Sequence, residues 1–480
     1  MKYTIAIVGG GITGLTTAHR IMSLKKKENL PLELVLLESS GRLGGVIKSE
    51  SVGDFIIEHG PDAFLTHEPE FKQLLEELDL VDQLIPTNIG NRKAFVAQRN
   101  NLIPLPAGFF MIAPTNWWSF INSPLFSLAA KLRISIEPFV HRRKNLMEDE
   151  SVGNFLRRRF GVELLTRAGQ PLIGSIYMAD INLLSAQSTI PQFIRLEQEF
   201  GSVIKGLIRT GHQGANTASG ARYNLFSSFK DGTAMLIEKL SQQLSDAQIC
   251  LNTQVLSLNR GQGKTWMLIT NYKPFEADAV VFALPAKLAA GITHNFDISL
   301  SNNLAAIESS NSIVVNLLYK QSDLGRRYQG FGFVVPTSEH KQIIASGFIS
   351  QKFPNRASTD QVVIRVFLGG QLMPQLFDLS DQELTTIAHN EIAPYLKIKN
   401  PPRQSWLNRC PASLPIYQTG HKQTLEKIEN CRRQYPGLMF TGASYHGLGI
   451  PDCVRQGEAT ASVLLESIRQ RTLTCLKEIV

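Results

Sequence analysis

The first forty residues alternate between apolar runs and a helical pattern. An apolar run, 4–8, leads into a glycine-rich turn at 9–14, and apolar residues then recur at helical spacing over 15–21. A second apolar run, 32–37, ends in Glu38. Apolar runs without alternation are typical of strands covered on both faces, and the order strand, turn, helix, strand is typical of a parallel βαβ unit. We therefore predict that the chain begins with a parallel α/β sheet.

The middle of the chain differs in character. Residues 102–140 are rich in aromatic side chains and poor in charge, and helical patterns follow at 152–160 and 164–173. These patterns predict a helical region with a large apolar interior. Residues 211–222 are rich in glycine and small polar residues, which predicts a loop or linker.

The second half of the chain contains two kinds of predicted strand. Nearly unbroken apolar runs at 278–284 and 437–441 predict buried parallel strands, so the first sheet is expected to resume after a long insertion. Alternating runs predict a second sheet, with strands at 312–319, 332–335, 343–348 and 362–367 and a helix at 381–395. A last helix is predicted from 450 to about 468, with a proline in its first turn.

Composition sets few limits on function. The 480 residues are 43% hydrophobic and 19% charged, which is ordinary for a globular chain of two or three domains. The net charge of +8 is spread along the chain without aromatic-interleaved basic stretches, so we expect no nucleic-acid partner. The five cysteines are scattered, which predicts no metal site, no redox dithiol and a reducing, cytoplasmic setting. We expect no signal peptide and no membrane span.

The first turn has the G-x-G-x-x-G spacing between a strand and a helix, the context that makes it specific. Gly9 allows the tight turn, Gly11 lets a diphosphate approach the backbone, and Gly14 lets the helix pack close to the strand. The helix N-terminus offers N–H groups and a partial positive charge to the phosphates. Glu38 is expected to bind the ribose hydroxyls.

A second glycine turn follows Glu38. Arg42, Gly44 and Gly45 form an R-x-G-G turn, which would bring a cation and two bare backbone positions toward the diphosphate. A hairpin with arms 46–49 and 55–57 is predicted next. The sequence shows no second G-x-G-x-x-G for a nicotinamide cofactor. It therefore predicts a protein that binds FAD and takes electrons from its own organic substrate.

Two further stretches concern the flavin ring and the substrate. The predicted last helix begins near 449–451, and its positive end would stabilise a reduced, anionic flavin. The aromatic middle of the chain suits a bulky, flat substrate. The pair Trp117 and Trp118 also leaves open a surface that contacts a membrane.

The chain resembles the flavin-dependent protoporphyrinogen and coproporphyrinogen oxidases of haem biosynthesis, which belong to the amine-oxidase-like flavoproteins. Besides the two glycine turns, four stretches carry the resemblance, which extends over nearly the whole chain: 58–65 (EHGPDAFL), 170–177 (QPLIGSIY), 414–421 (LPIYQTGH) and 441–453 (TGASYHGLGIPDC).

The resemblance implies an α/β fold in three parts. A Rossmann-like, discontinuous FAD-binding domain is expected at 1–66, 222–288 and 432–480. A sheet-based substrate-binding domain is expected at 67–108 and 289–431. An inserted helical domain, which often faces a membrane in this family, is expected at 109–221.

The resemblance also implies the reaction, a six-electron oxidation of a porphyrinogen in three flavin cycles with dioxygen as acceptor and hydrogen peroxide as product. The chain looks most similar to the Gram-positive type, which acts on coproporphyrinogen III. The animal and plant type has an arginine where Asp62 stands, proposed to pair with a substrate propionate, and an acid cannot make that pair.

Several alternatives stay open. Protoporphyrinogen IX is the second candidate substrate, and a flavin amine oxidase, a carotenoid desaturase or a flavin-free lipid-binding protein of the same fold are more distant ones. Peripheral contact with the inner face of the cell membrane and handover of the product to a downstream haem-synthesis enzyme are further expectations.

The resemblance assigns a set of FAD contacts to this chain: Gly9, Gly11, Gly14, Glu38, Ser39, Gly60, Pro61, Val255 (through its backbone), Leu448, Gly449 and Ile450. Neighbouring positions in the same motifs complete the predicted cofactor site: Ile12, Thr13, Arg42, Gly44, Gly45, Asp62 and Ala63. Substrate contacts are expected at Ser175 and Ile176, although the family usually has glycine at position 175. We predict no metal and no catalytic side chain, because pyrroles are good electron donors and positioning supplies most of the catalysis.

Overall fold

The fold is built around two sheets of different kinds. The structure is a computed structural model that describes residues 2–479 except 54, 67, 144–147, 211–225, 262–264, 355, 358 and 359, with side chains up to Arg469. The predicted linker at 211–222 lies outside the described residues.

Five parallel strands form the first sheet. From one edge to the other they are Gln248–Cys250, Leu32–Leu37, Tyr3–Val8, Ala279–Phe282 and Leu438–Phe440. Separate apolar clusters cover its two faces, which explains why its central strands are almost entirely apolar. The prediction that the first sheet resumes late in the chain is confirmed by Ala279–Phe282 and Leu438–Phe440, and Gln248–Cys250 joins it as a third returning strand.

Helices lie on both faces of this sheet. On one face are the first helix, Ile12–Glu28, the last helix, Ile450–Ile479, and Ala234–Gln242. The other face carries Ala286–Thr293, Ile298–Ala305 and His421–Arg432, together with a small antiparallel sheet of Val255–Arg260, Trp266–Thr270 and Phe275–Ala277.

Seven strands form the second sheet. In spatial order they are Gln404–Pro415, Ser309–Lys320, Gln361–Gly369, Ile343–Phe348, Gly332–Val334, Ala94–Gln98 and Asn101–Pro104. One face packs on the helix Asp381–Leu396. The strands predicted from alternation between 312 and 367 are confirmed, whereas the hairpin at 94–104 was not predicted and extends the sheet at its edge.

Residues 109–210 are mainly helical. A short strand pair, Phe109–Phe110 and Ala113–Pro114, precedes the helices Trp117–Asn122, Leu128–Ser135, Val152–Phe160, Val162–Leu164, Gln170–Tyr177, Ala186–Thr189, Pro191–Phe200 and Val203–Arg209. The predicted helix 164–173 is interrupted by a π-helical turn at Leu165–Gly169. The interruption follows from Pro171, which has no N–H to continue the helical ladder.

The remaining elements connect these parts. The hairpin consists of Ser49–Val52 and Phe55–Glu58, so the predicted first arm at 46–49 was wrong by three residues. The reason is that the Ile47 N–H bonds to the Gly44 carbonyl at 3.0 Å, which extends the glycine turn.

A three-stranded sheet and three short helices complete the fold: Phe64–Leu65, Leu84–Pro86 and Phe226–Phe229, then Pro69–Glu77, Ile349–Lys352 and Ala443–His446. Among the described helices, none is both long and apolar enough to cross a bilayer.

Candidate functional site

The first glycine turn has two crowded positions and one open position. A Cβ added to Gly9, whose φ is +109°, would lie 2.5 Å from the Ala283 carbonyl oxygen, and one added to Gly14 would lie 2.0 Å from the Gly9 oxygen. A Cβ added to Gly11 would meet nothing within 4 Å. Gly9 and Gly14 are therefore required by packing, whereas Gly11 borders open space, where the diphosphate is predicted to lie.

The two glycine turns are in direct contact. The Gly44 N–H bonds to the Gly10 carbonyl at 2.8 Å, and Gly11 and Gly44 pair as a parallel bridge. Arg42 donates to the carbonyl oxygens of Leu43 and Gly45 and, at 3.0 Å, to that of Ile47. Its guanidinium thus shapes the second turn from an exposed position next to the first.

The Glu38 carboxylate lies against the first turn. Oε2 accepts the Gly10 N–H at 2.7 Å, and Oε1 accepts the Ser40 N–H at 2.8 Å and the Ser40 hydroxyl at 2.7 Å. The Ser39 hydroxyl is a third donor to Oε1, at 3.5 Å, whereas Oε2 has one donor. Each carboxylate oxygen has about two acceptor sites, so Oε2 keeps one for the predicted ribose hydroxyl. The Thr253 N–H bonds to the Glu38 carbonyl at 2.8 Å, which brings Val255 close to this acid. Ser39 is exposed beside it.

The last helix packs tightly against the first helix. A Cβ on Gly457 would lie 2.9 Å from the Thr13 carbonyl oxygen, and the Thr17 hydroxyl bonds to the Gly457 carbonyl at 3.3 Å. Because the last helix begins at Ile450, this packing holds Leu448, Gly449 and Ile450 on the same side of the sheet as the helix that starts at Ile12. Residues more than 430 positions apart therefore form one candidate cofactor site.

Tyr417 connects this region to the predicted substrate contacts. Its hydroxyl donates to the Ala443 carbonyl and accepts the Gly447 N–H at 2.9 Å. Burial raises the pKa of Tyr417 well above its ordinary value, so the phenol stays protonated. The ring of Tyr177 lies 5.8 Å from that of Tyr417, at the end of the helix that carries Ser175 and the partly exposed Ile176.

Three neighbouring strands of the second sheet hold the 58–60 segment, which precedes Pro61. The Asn316 Nδ2 donates to the Glu58 carbonyl at 3.1 Å, the Asn408 Nδ2 donates to the His59 carbonyl at 3.0 Å, and the Arg365 Nη2 donates to the Gly60 carbonyl. We call these three side chains the carbonyl clamp. The sequence reasoning missed them, although each is a polar residue within a strand, and Asn316 and Arg365 interrupt apolar runs.

The clamped segment is also fixed from the other side. A Cβ on Gly60 would lie 1.8 Å from the Val46 carbonyl oxygen, so the segment packs directly on the end of the second glycine turn. The Glu58 carboxylate accepts the Thr233 N–H at 2.9 Å and the Ser49 hydroxyl at 2.6 Å, and the Thr233 hydroxyl donates to the Pro61 carbonyl at 3.0 Å. Burial raises the pKa of Glu58 despite these bonds.

The Asp62 carboxylate pairs with two cations of the second sheet region. Its Oδ2 lies 2.7 Å from the Lys352 Nζ and its Oδ1 lies 3.8 Å from the Arg365 Nη1. Burial alone would raise the pKa of Asp62, but Lys352 and Arg365 outweigh it and hold the pKa at about 2. Asp62 is therefore a carboxylate at neutral pH. Its contact and that of Ala63 with the cofactor stay predictions.

The chain belongs to a known family of flavoproteins. The model of the family "Flavin containing amine oxidoreductase" matches residues 12–465. The coproporphyrinogen III oxidase of Bacillus subtilis (strain 168) is 33% identical over 463 residues, which cover 96% of this chain and 97% of that protein. The chloroplastic/mitochondrial protoporphyrinogen oxidase 2 of Arabidopsis thaliana is 27% identical and covers 96% of this chain and 93% of its own length.

A solved structure extends the similarity to the whole fold. A protein from Exiguobacterium sp. 255-15, with a proposed protoporphyrinogen oxidase activity, superposes with a TM-score of 0.84 at 28% identity. The match covers 97% of this chain and 99% of that one. The expected α/β, amine-oxidase-like fold class is thereby confirmed.

The three glycines of the first turn make a direct test of the cofactor site. Gly11→Ala should leave the unfolding temperature of the flavin-free protein nearly unchanged but abolish flavin absorbance in the purified protein, because the methyl group occupies only the open space. Gly14→Ala should destabilise the fold by about 1–3 kcal/mol, because the added Cβ overlaps the Gly9 carbonyl. Full flavin content in Gly11→Ala would contradict the site.

The carbonyl clamp is tested by Asn316→Ala. The variant leaves the Glu58 carbonyl without its donor and should lower the free energy of unfolding by about 1–3 kcal/mol, measured with denaturant. Flavin should also dissociate faster, since the segment that leads to Pro61 loses one of its anchors. Asn302→Ala on an exposed helix face is the control, and an equal stability loss in the two variants would argue against the clamp.

Proposed function

Because this chain belongs to the flavin-containing amine oxidoreductase family, we propose that it is an FAD-dependent oxidase of coproporphyrinogen III in haem biosynthesis. In the overall reaction, coproporphyrinogen III and three molecules of dioxygen give coproporphyrin III and three molecules of hydrogen peroxide. Six hydrogens leave the macrocycle, and each dioxygen takes up two of them. The observation that carries the proposal is the 33% identity to the Bacillus subtilis enzyme along nearly the full length of both chains.

The residues of this chain supply binding and orientation. The flavin, when bound, supplies the capacity to accept two electrons from carbon and to pass them to dioxygen. The glycine turns and Glu38 would bind the dinucleotide, and Leu448 to Ile450 would lie at the redox-active end. The helix of Ser175 and Ile176 would form one wall of the substrate site, since it packs against two strands of the second sheet.

No side chain is proposed as an acid or base. Burial raises the pKa of the phenols of Tyr177 and Tyr417, and burial lowers the pKa of His421 and His446, so all four are neutral around pH 7. Neutral groups of this kind orient a substrate by hydrogen bonding and packing. Catalysis would then depend on geometry and on the electrostatic environment of the cofactor.

The reaction is tested by supplying both candidate substrates under air. The purified chain should oxidise coproporphyrinogen III faster than protoporphyrinogen IX. Porphyrin, measured by its fluorescence, and hydrogen peroxide should form in a molar ratio of one to three. The flavin-depleted Gly11→Ala variant is the matched control. Faster oxidation of protoporphyrinogen IX would favour that substrate instead. Absence of fluorescence and peroxide with both would return the choice to an amine oxidase, a carotenoid desaturase or a lipid-binding protein.

A peripheral membrane contact is part of the proposal, for a chain placed in the cytoplasm. The helices Trp117–Asn122 and Leu128–Ser135 and the following turn expose Trp118 (80%), Leu128 (78%) and Phe139 (80%). The Lys205 ammonium lies 5.8 Å from the centre of the Phe139 ring. Apolar side chains flanked by cations suit the inner face of an anionic membrane. Handover of the poorly soluble porphyrin to the next enzyme of haem synthesis belongs to the same proposal.

The membrane contact predicts a specific loss of vesicle binding. The triple variant Trp118→Ser, Leu128→Ser, Phe139→Ser should bind vesicles of phosphatidylglycerol and phosphatidylcholine at least about tenfold more weakly in co-sedimentation, since about 1 kcal/mol or more is lost per buried apolar side chain. The control triple Ile89→Ser, Tyr272→Ser, Ile298→Ser removes large side chains elsewhere that are 63–74% exposed. Equal vesicle binding by both triples would reject the contact.

A further inference from the structure

A cavity lies beside Asp62 on the face of the second sheet that holds the carbonyl clamp. Its volume is about 140 Å³, and its lining includes the strands Gly332–Val334, Ile343–Phe348 and Gln361–Gly369. The helix with Ser175 and Ile176 packs against the first two of these strands. The cavity therefore lies between the segment predicted to contact the flavin and the helix predicted to contact the substrate.

Arg365 gives this cavity unused hydrogen-bond donors. Its side chain is 3% exposed, and only Nη2 has a hydrogen-bond partner, the Gly60 carbonyl. Nε and Nη1 are buried without a partner in the described part of the chain, since Nη1 is 3.8 Å from Asp62, beyond hydrogen-bond distance. Buried guanidinium N–H groups without acceptors are unfavourable and rare in native proteins, which indicates that an acceptor is missing here.

The cross-strand neighbour of Arg365 explains why the guanidinium is uncovered. Gly347 is directly opposite Arg365 in the strand pairing. A Cβ built on Gly347 would be 4.0 Å from the Arg365 Cβ and would meet nothing closer than 3.5 Å. Position 347 thus has room for a side chain, and the glycine leaves the cavity open above Arg365.

The charges around the cavity favour an anion. Lys352 and Arg365 provide two positive charges and Asp62 provides one negative charge, so one positive charge is in excess. The neighbouring Glu58 lies 3.9 Å from Arg356, and that pair has no net charge when both groups are ionised. A guanidinium N–H also makes a strong, charge-assisted hydrogen bond to a carboxylate oxygen.

We propose that this cavity is a subsite for a carboxylate arm of the substrate, which accepts a charge-assisted hydrogen bond from an unpartnered N–H of Arg365 next to Lys352. The proposal rests on the proposed function, in which the substrate is a tetrapyrrole with carboxyethyl side chains. Asp62 has a defined role in it, since the acid holds Lys352 and Arg365 together at the cavity. In this proposal the cations that bind the substrate carboxylate are two residues of the second sheet region, Lys352 and Arg365.

The test places a competing carboxylate in the cavity and compares it with a neutral side chain of nearly the same size. Gly347→Asp should form an internal ion pair with Arg365, whereas Gly347→Asn has nearly the same size and no charge. Binding of coproporphyrin III, followed by fluorescence, should be at least about tenfold weaker in Gly347→Asp than in Gly347→Asn, the size expected when a charge-assisted hydrogen bond is lost. The KM for coproporphyrinogen III should rise by a similar factor, with kcat nearly unchanged.

The outcomes separate the subsite from the reaction. If the unsubstituted protein oxidises coproporphyrinogen III and the two variants bind the porphyrin equally, the subsite is wrong and the proposed function stands. If the protein binds the porphyrin but oxidises neither porphyrinogen, the function is wrong, and the binding ratio still decides the subsite. Failure of the unsubstituted protein to bind the porphyrin would overturn the subsite. If Gly347→Asp does not fold, Lys352→Gln is compared with Lys352→Arg. Lys352→Gln removes the positive charge and should bind the porphyrin more weakly than Lys352→Arg, which keeps it.

Discussion

The packing of the first helix against the last at Gly457 is the contact on which the candidate site depends. The bare α-carbon lets the Thr13 carbonyl come within van der Waals distance, so the first and last helices pack together on one face of the parallel sheet. Both the glycine turn and Leu448 to Ile450 take their positions from this contact. A larger residue at 457 would separate the helices and, with them, the two halves of the site.

The second constraint joins the two sheets. The parallel sheet ends in glycine turns that expose backbone, and the antiparallel sheet supplies side-chain donors for the segment at 58–60. The segment is held by Val46 on one side and by the carbonyl clamp on the other. The predicted cofactor and substrate regions would therefore share this segment, and a shift of one sheet relative to the other would alter both.

The sequence was sufficient to predict the local features, but not the contacts between residues that are far apart along the chain. Glycine spacing and apolar runs predicted the turns and the parallel strands, because each depends on neighbours within a few residues. The clamp depends on the register of three strands, so Asn316, Arg365 and Asn408 could not be assigned a partner from their own surroundings. The same limit applies to Asp62: the sequence indicated that an acid there could not pair with a propionate, but its cations are about 300 positions away along the chain. The first arm of the hairpin was misplaced because the backbone hydrogen bond of Ile47 to Gly44 cannot be predicted from the types of these residues.

The carbonyl clamp bonds to the main chain of residues 58–60. It therefore fixes the position of this backbone whatever side chains the segment carries. Each of its three donors bonds to a carbonyl oxygen, which every amino acid possesses. Gly60 is also fixed by the lack of space next to Val46, and the side chains of Glu58 and His59 make further bonds, but the clamp bonds themselves do not depend on those side chains. A substitution at position 58 or 59 would therefore remove side-chain bonds of the segment and still leave its carbonyl groups available to the clamp.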